Sequence, residues 1–354
     1  MENRIENLRN SLPKGAAALI TNEADCFYLS GFNKSEGMVL VTEKSACLFV
    51  DFRYIEAARA ASRIDVKLTG AFIKDIFTEL KSEDVKTVFV EREYVTLALA
   101  ARLKEAFEGI EVSEEVDVGK IIGDMRAVKS AQEISLIKSA QKITDRAFSY
   151  IITKIAAGRS ERETALDLEF FMRKEGSEGT AFDTICVSGK NSSKPHGVPG
   201  EKLIQNGDFV TLDFGAVVGG YRSDMTRTVA VGKPDEKMVF VYDTVLKAQS
   251  AALAAIKPGV SCRDIDKIAR DIINTAGFEG CFGHGLGHGV GIDIHENPAF
   301  STRCETVTAP GMVITVEPGI YLENSFGVRI EDMIVVTEGG CENLTGSDKR
   351  LIVL

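Results

Sequence analysis

Several features are missing from this chain of 354 residues. Its seven cysteines (Cys26, Cys47, Cys186, Cys262, Cys281, Cys304 and Cys341) are odd in number and scattered, with no Cys-x-x-Cys spacing. That excludes a disulfide framework and a zinc–thiolate module, and it fits a reducing cytoplasm. Most of the seven are expected as small buried hydrophobes. No dense Lys/Arg run accompanies the formal net charge of −10, so nucleic acid and membrane are not expected as partners. No apolar run reaches membrane-spanning length. The opening residues Met1-Glu2-Asn3-Arg4-Ile5-Glu6 lack a basic region followed by an apolar core, so no signal peptide is expected. Together these absences place the protein in the cytoplasm.

What is present is the composition of a soluble globular protein, 44% hydrophobic and 27% charged. The length suits two domains, or one large domain with an elaborated end. Up to about residue 125 the chain reads as α/β. Ala16–Ile20, Gly37–Val41, Ala46–Val50 and Thr87–Val90 are apolar runs of strand length. Tyr54–Ser62 and Val95–Phe107 are helix-like. Asp51-Phe52-Arg53-Tyr54 follows a strand and is expected to form a local salt bridge rather than a catalytic site. A boundary falls near Gly123-Asp124-Met125-Arg126. Beyond it, Ile134, Ile137, Ile143, Phe148, Ile151 and Ile155 recur at helical spacing, predicting a core-packed helix over Lys129–Ile155 with Glu133 and Lys138 in solvent.

Histidine is scarce, and three of the four residues lie in Gly283–Glu296: His284, His288 and His295. Glycine alternates with side chains through Gly283, Gly285, Gly287, Gly289 and Gly291. In an extended segment His284 and His288 would project from one side. The glycines would leave room for a peptide to lie against the backbone. Imidazole is a common ligand of catalytic divalent metals and the usual acid/base near neutral pH. A glycine-rich loop with incidental histidines is the plainer alternative.

The second half repeats itself. Ser160 and Ser261 each stand three residues before an acid, Glu163 and Asp264, as a capping box does, and Gly176 and Gly277 close the two helices. Gly207-Asp208-Phe209-Val210-Thr211-Leu212-Asp213-Phe214-Gly215 then matches Gly311-Met312-Val313-Ile314-Thr315-Val316-Glu317-Pro318-Gly319. Two related α/β units would each deliver an acid to a central site. If Gly219-Gly220 forms a two-residue hairpin loop, residue 213 opposes 226, and Asp224 lies diagonally beside Asp213 on the same face, about 7–8 Å away at Cα. Glu317 and Glu331 bracket a second turn at an even separation that permits one shared face. Four acids brought together repel and raise one another's pKa, and divalent metal is the natural neutraliser. Asp213, Asp224, Glu317, Glu331 and His288 make an oxygen-rich set with one nitrogen, suited to Mn²⁺, Co²⁺ or Zn²⁺ and to two ions.

These residues resemble the pita-bread-fold metallopeptidases, which include methionine aminopeptidase, prolidase and aminopeptidase P. The likeness rests on Ser193-Lys194-Pro195-His196-Gly197, Leu212-Asp213-Phe214-Gly215, Arg222-Ser223-Asp224-Met225-Thr226-Arg227-Thr228 and the His284–Gly291 stretch with His295-Glu296. It continues through Glu317-Pro318-Gly319-Ile320-Tyr321 and Val328-Arg329-Ile330-Glu331-Asp332, all in family order. Tyr28-Leu29-Ser30-Gly31-Phe32 and Asp51-Phe52-Arg53-Tyr54 resemble the creatinase-like domain that precedes this unit in proline-specific members. The resemblance implies an α+β chain: a creatinase-like α/β N-terminal domain over 1–125, then a pseudo-two-fold pita-bread catalytic domain over 126–354.

By the same resemblance, Asp224, His288, Glu317 and Glu331 would bind one divalent ion and Asp213, Asp224 and Glu331 a second, Mn²⁺ being the first choice. Asp224 and Glu331 would bridge. A bridging water or hydroxide would attack, with Glu317 shuttling the proton. His196 and His295 would hydrogen-bond the substrate and stabilise the tetrahedral intermediate. His284 is similar to a histidine that proline-specific members carry four residues before the ligand. Arg329 would orient substrate, or else support Glu331 or Asp332 by a salt bridge, and Asp332 would point away. The implied activity is hydrolysis of Xaa-Pro bonds in proline-containing peptides by a homodimer, either as a dipeptidase or as an aminopeptidase on longer peptides. The extra domain and His284 disfavour methionine aminopeptidase. A non-catalytic peptide- or protein-binding module and a creatinase-like, metal-free C–N hydrolase share the fold but lack a use for all five ligands.

Overall fold

Short runs of β-branched and apolar residues supply the strands of both halves. The computed structural model describes residues 4–33 and 36–354, so Met1, Glu2 and Asn3 of the N-terminal stretch considered above lie outside the described residues. The chain divides into two units, Met1–Arg126 and Ala127–Leu354. In the first, β1 (Ala16–Ile20), β2 (Met38–Val41), β3 (Ala46–Val50), β4 (Asp65–Leu68), β5 (Thr87–Val90) and β6 (Glu111–Ser113) form one sheet in the order β4-β3-β2-β1-β5-β6. β2 runs antiparallel to both neighbours and the other pairs are parallel. Helices α1 (Arg4–Asn10), α2 (Glu23–Ser30), α3 (Ile55–Ala61), α4 (Phe72–Ser82), α5 (Leu97–Ala106) and α6 (Val118–Ala127) complete it. Ile76, Leu80 and Leu103 from α4 and α5 pack on Leu19, Phe49 and Val88 of the sheet.

Four of the six strands stand where the apolar runs predict them. β4 and β6 carry too many polar residues to be read as strands. Arg53 and Asp51 form the expected local pair at 2.6 Å, with Glu36 on the same guanidinium at 2.7 Å. Gly123–Arg126, where the sequence places the boundary, lie in the last turns of helix α6, and the two units divide after Arg126.

The second unit opens with α7 (Ala131–Ile151), whose Ser130 cap and Glu133 form a full capping box. Glu133 is therefore not in solvent. It is buried, accepting from Ser130 N at 2.8 Å and from the Tyr221 hydroxyl at 2.7 Å. Lys138 is half-buried, its ammonium paired with Glu342. Next come α8 (Glu161–Lys174), β7 (Ile185–Ser188), β8 (Phe209–Phe214), β9 (Val217–Val218), β10 (Tyr221–Arg222) and β11 (Met225–Ala230). After α9 (Glu236–Ala255) and α10 (Cys262–Thr275) follow β12 (Gly287–Gly289), β13 (Glu296–Phe300), β14 (Val313–Val316), β15 (Gly319–Leu322), β16 (Phe326–Arg329), β17 (Asp332–Thr337) and β18 (Gly340–Asn343).

The internal repeat is visible in three dimensions. The antiparallel order β7-β8-β11 recurs as β12-β14-β17 within the five-stranded sheet β13-β12-β14-β17-β18. Gly158 N donates to Ile204 O at 2.9 Å and Gly259 N to Thr308 O at 2.8 Å, while Ser160 bridges Leu203 as Ser261 bridges Val307. Gly207 and Gly311, which precede the two acid-bearing strands, both have φ of +90°. One detail of the repeat differs. Ser160 makes the full capping box with Glu163, whereas Ser261 makes no side-chain cap, its partner Asp264 being a methylene shorter. All seven cysteines are free thiols, four of them buried.

Candidate metal centre and substrate pocket

Strand alternation decides which side chains reach the centre. On β8, Val210, Leu212 and Phe214 enter one apolar core, so Thr211 and Asp213 face the other way. The Gly219-Gly220 turn, both residues at positive φ, closes the hairpin in the register anticipated above, with Thr226 paired to Asp213. Asp224, two residues before Thr226, shares that face. In the other half, Val316 pairs with Asp332 and Gly319 with Arg329, and this common register sets Glu317 opposite Glu331. Val316, Ile334 and Val336 belong to the core. Glu331 therefore looks into the site while its neighbour Asp332 looks away.

Asp332 is held by Arg227 at 2.8 Å, Lys349 at 2.6 Å, Gln249 at 2.9 Å and Asn343 at 2.8 Å. Burial alone would raise its pKa, but Arg227 and Lys349 hold it below the usual carboxylate range. Glu331 has no such cation. Burial, then the charges of Glu317 and Asp213, push its pKa well up. Asp224 is raised well up by burial and by Glu331, Asp213 and Glu317 in turn, and Asp213 is raised by burial in spite of Arg329.

Asp224, His288 and Glu331 each offer a donor atom within 4.8 Å of the other two. Glu317 joins through His288, at 3.3 Å from Nε2. Burial opposes the Glu317 charge, yet the His288 hydrogen bond brings its pKa down to about 2; the same bond outweighs burial at His288 and raises its pKa. Asp213 Oδ1 and Glu331 Oε1 are buried without a hydrogen-bond partner. Two orphaned carboxylate oxygens in a cluster of four acids, three of them buried, are what a divalent cation would satisfy. The donor set fits such an ion.

The remaining predicted residues line one pocket of about 710 Å³ that also contains the five ligand candidates. His295 stacks edge-on against His288 at 4.3 Å between ring centres. His196 is exposed and lines the same pocket, with Pro195 and Val198. Arg329 is paired with Asp213 at 2.5 Å, rather than with Glu331 or Asp332, and donates also to Thr226 Oγ1, Pro195 O and the Tyr321 hydroxyl. Tyr321 in turn lies 2.9 Å from His284 Nε2, while His284 Nδ1 lies 2.8 Å from Gly285 O. Both His284 nitrogens are thus occupied within the protein, leaving its ring to face the pocket.

The alternating glycines serve the protein's own packing. A Cβ at Gly287 would fall 1.9 Å from Thr315 O, one at Gly289 2.4 Å from Asn297 O, and one at Gly285 2.8 Å from Phe300 O. The expected space for substrate is filled by neighbouring strands. Sequence reasoning also missed Thr226, which donates to Glu331 Oε2 at 2.8 Å, and Tyr321. Thr226 could have been found, since it is the register partner of Asp213; the Tyr321 contacts have no sequence signal.

Comparisons with known proteins agree over the whole length. The model described as Metallopeptidase family M24 matches residues 135–338, and that of the Creatinase/Prolidase N-terminal domain matches 4–128. The chain is 39% identical to a protein of Pyrococcus horikoshii called Xaa-Pro dipeptidase, across 99% of each. Among solved structures it is similar to an Xaa-Pro dipeptidase from Bacillus anthracis (TM-score 0.95, 41% identity, 99% of each chain). It is also similar to an X-Pro aminopeptidase from Thermotoga maritima (TM-score 0.92, 39% identity, 99% of this chain and 100% of that one).

Proposed function

This chain belongs to metallopeptidase family M24, and on that footing we propose that it hydrolyses Xaa-Pro peptide bonds with two divalent ions. The carrying observation is the set of four carboxylates and one imidazole, with Asp213, Asp224 and Glu331 buried and two carboxylate oxygens unsatisfied. Asp224, His288, Glu317 and Glu331 hold one ion in this reading, and Asp213, Asp224 and Glu331 the other. Mn²⁺ is the proposed metal, with Co²⁺ and Zn²⁺ as substitutes. When bound, the metal polarises the scissile carbonyl and lowers the pKa of the attacking water.

The chain's own residues do the rest. Glu317 takes the water proton on its carboxylate and passes it to the proline nitrogen as the C–N bond breaks, while the hydroxyl stays on the carbonyl carbon. His295 and His196 hydrogen-bond the carbonyl oxygen as it gains charge. Arg329 fixes Asp213 and, through Tyr321, the His284 ring that packs against substrate. We read residues 1–125 as the creatinase-like domain and 126–354 as the catalytic one. Seven free thiols support a cytoplasmic setting, and a homodimer is what the family resemblance implies.

The test is metal content together with cleavage of Ala-Pro-Ala against Ala-Ala-Ala. Bound metal and a clear preference for proline are expected, both lost in Asp224→Ala. A chain that binds no Mn²⁺, Co²⁺ or Zn²⁺, or that cleaves both peptides alike, would sink the reading.

A further inference from the structure

A peptidase pocket has to account for the charges at both ends of its substrate. A dipeptide ending in proline carries its free carboxylate one residue beyond the scissile bond, deep in any pocket that holds that bond over the metal centre. A buried carboxylate needs a cation or several hydrogen-bond donors there. A longer peptide places a neutral amide at the same point.

Among the described residues lining this pocket there are five carboxylates, Asp183, Asp213, Asp224, Glu317 and Glu331, and one guanidinium, Arg329. No lysine lines it. Arg329 is already committed. It is 3% exposed, its charge is taken by Asp213 at 2.5 Å, and its other donors go to Thr226, Pro195 O and Tyr321. His284 has both nitrogens engaged by Tyr321 and Gly285 O. Two divalent ions would only balance the four excess negative charges of the lining. Asp183, already counted in that balance, is its exposed member, and a further carboxylate on that wall would meet its charge. The outer walls are apolar instead: Phe182, Val198, Pro199 and Ile294, with Val198 84% exposed. Such walls suit the continuing chain of a peptide better than its charged end.

We propose that this pocket discriminates against a free carboxylate directly after the proline, so that the chain acts as an aminopeptidase on peptides longer than two residues. The proposal rests on the Xaa-Pro reading above and chooses between its two branches.

The experiment compares kcat/KM for Ala-Pro, Ala-Pro-amide and Ala-Pro-Ala on the full chain loaded with Mn²⁺. The amide differs from the dipeptide only in lacking the charge. An unpaired charged acceptor costs roughly tenfold to a hundredfold. Ala-Pro-amide and Ala-Pro-Ala should therefore both exceed Ala-Pro by at least about tenfold. If Ala-Pro is cleaved as well as its amide, a cation from outside this lining meets the carboxylate; the Xaa-Pro reading then stands and this proposal falls. If the amide matches Ala-Pro while Ala-Pro-Ala alone is favoured, length and not charge is being read, which also overturns it. If the metal-loaded chain cleaves none of the three, the Xaa-Pro reading itself is wrong.

Discussion

Glu331 and Asp332 are adjacent, alike in charge and almost wholly buried, and their substitutions should fail in opposite ways. Asp332 neutralises Arg227, 1% exposed, and Lys349, 24% exposed, while accepting from Gln249 and Asn343. Removing one partner of a buried pair costs about 3–5 kcal/mol. Lys349 can swing toward solvent, so the burden falls on Arg227 and the lower end of that range, about 3 kcal/mol, is expected for Asp332→Ala. For a unit of this size that is a fall of roughly 6–12 °C in Tm. Glu331→Gln keeps the shape and the Thr226 contact but removes one charge from a repelling cluster. The metal-free chain should then be as stable as before or slightly more so, while metal is lost. Thermal unfolding in chelator, paired with metal content after reloading, separates the two. The reasoning is refuted if Asp332→Ala sheds metal at unchanged Tm, or if Glu331→Gln lowers the metal-free Tm as much as Asp332→Ala does.

Two further outcomes are expected. His295→Ala should cut turnover on Ala-Pro-Ala by roughly a hundredfold while leaving metal content intact; loss of metal would show that the ring beside His288 serves the ion and not the substrate. In the first unit, Glu91 is fully buried and accepts from Thr21 N and Asn22 N, and burial, with Asp25 nearby, pushes its pKa up to about 7. Because the folded value lies above the ordinary 4.5, its contribution is fully present below about pH 4.5 and is lost as pH rises through 7, with an upper limit on the order of 3 kcal/mol. Glu91→Gln should flatten that part of the denaturation profile between about pH 4.5 and 7, and an unchanged slope would dismiss Glu91 as its source.

Much of the centre was legible because strand alternation has a fixed period. Gly219-Gly220 specifies a tight turn, the turn specifies the register, and the register puts Asp213 and Asp224 on one face before any coordinate is known. The same parity separates Glu331 from Asp332 once Val316 is recognised as core. The polar strands β4 and β6 escaped because their pattern lacks an apolar stripe, and only neighbouring strands make them strands. Ser130-Ala131-Gln132-Glu133 carries the same capping signature as Ser160–Glu163, so the Glu133 cap was legible; its burial under the Tyr221 hydroxyl, from a residue distant in the chain, was not. The glycines of the His284–Gly291 stretch were identified as sites of close approach, but what approaches them, the carbonyls of Thr315, Asn297 and Phe300, comes from residues distant in the chain.

The crosslinks between the two repeats carry a consequence for descent. Arg329 holds Asp213, Thr226 holds Glu331, and Arg227 holds Asp332, each joining one copy to the other. The two similar halves are thereby bound into one unit. A change at either end of a pair leaves a charge or a donor stranded in its twin, so the halves can be corrected together or abandoned together. Across a lineage these positions should vary as couples, even where the surrounding loops have long since gone separate ways.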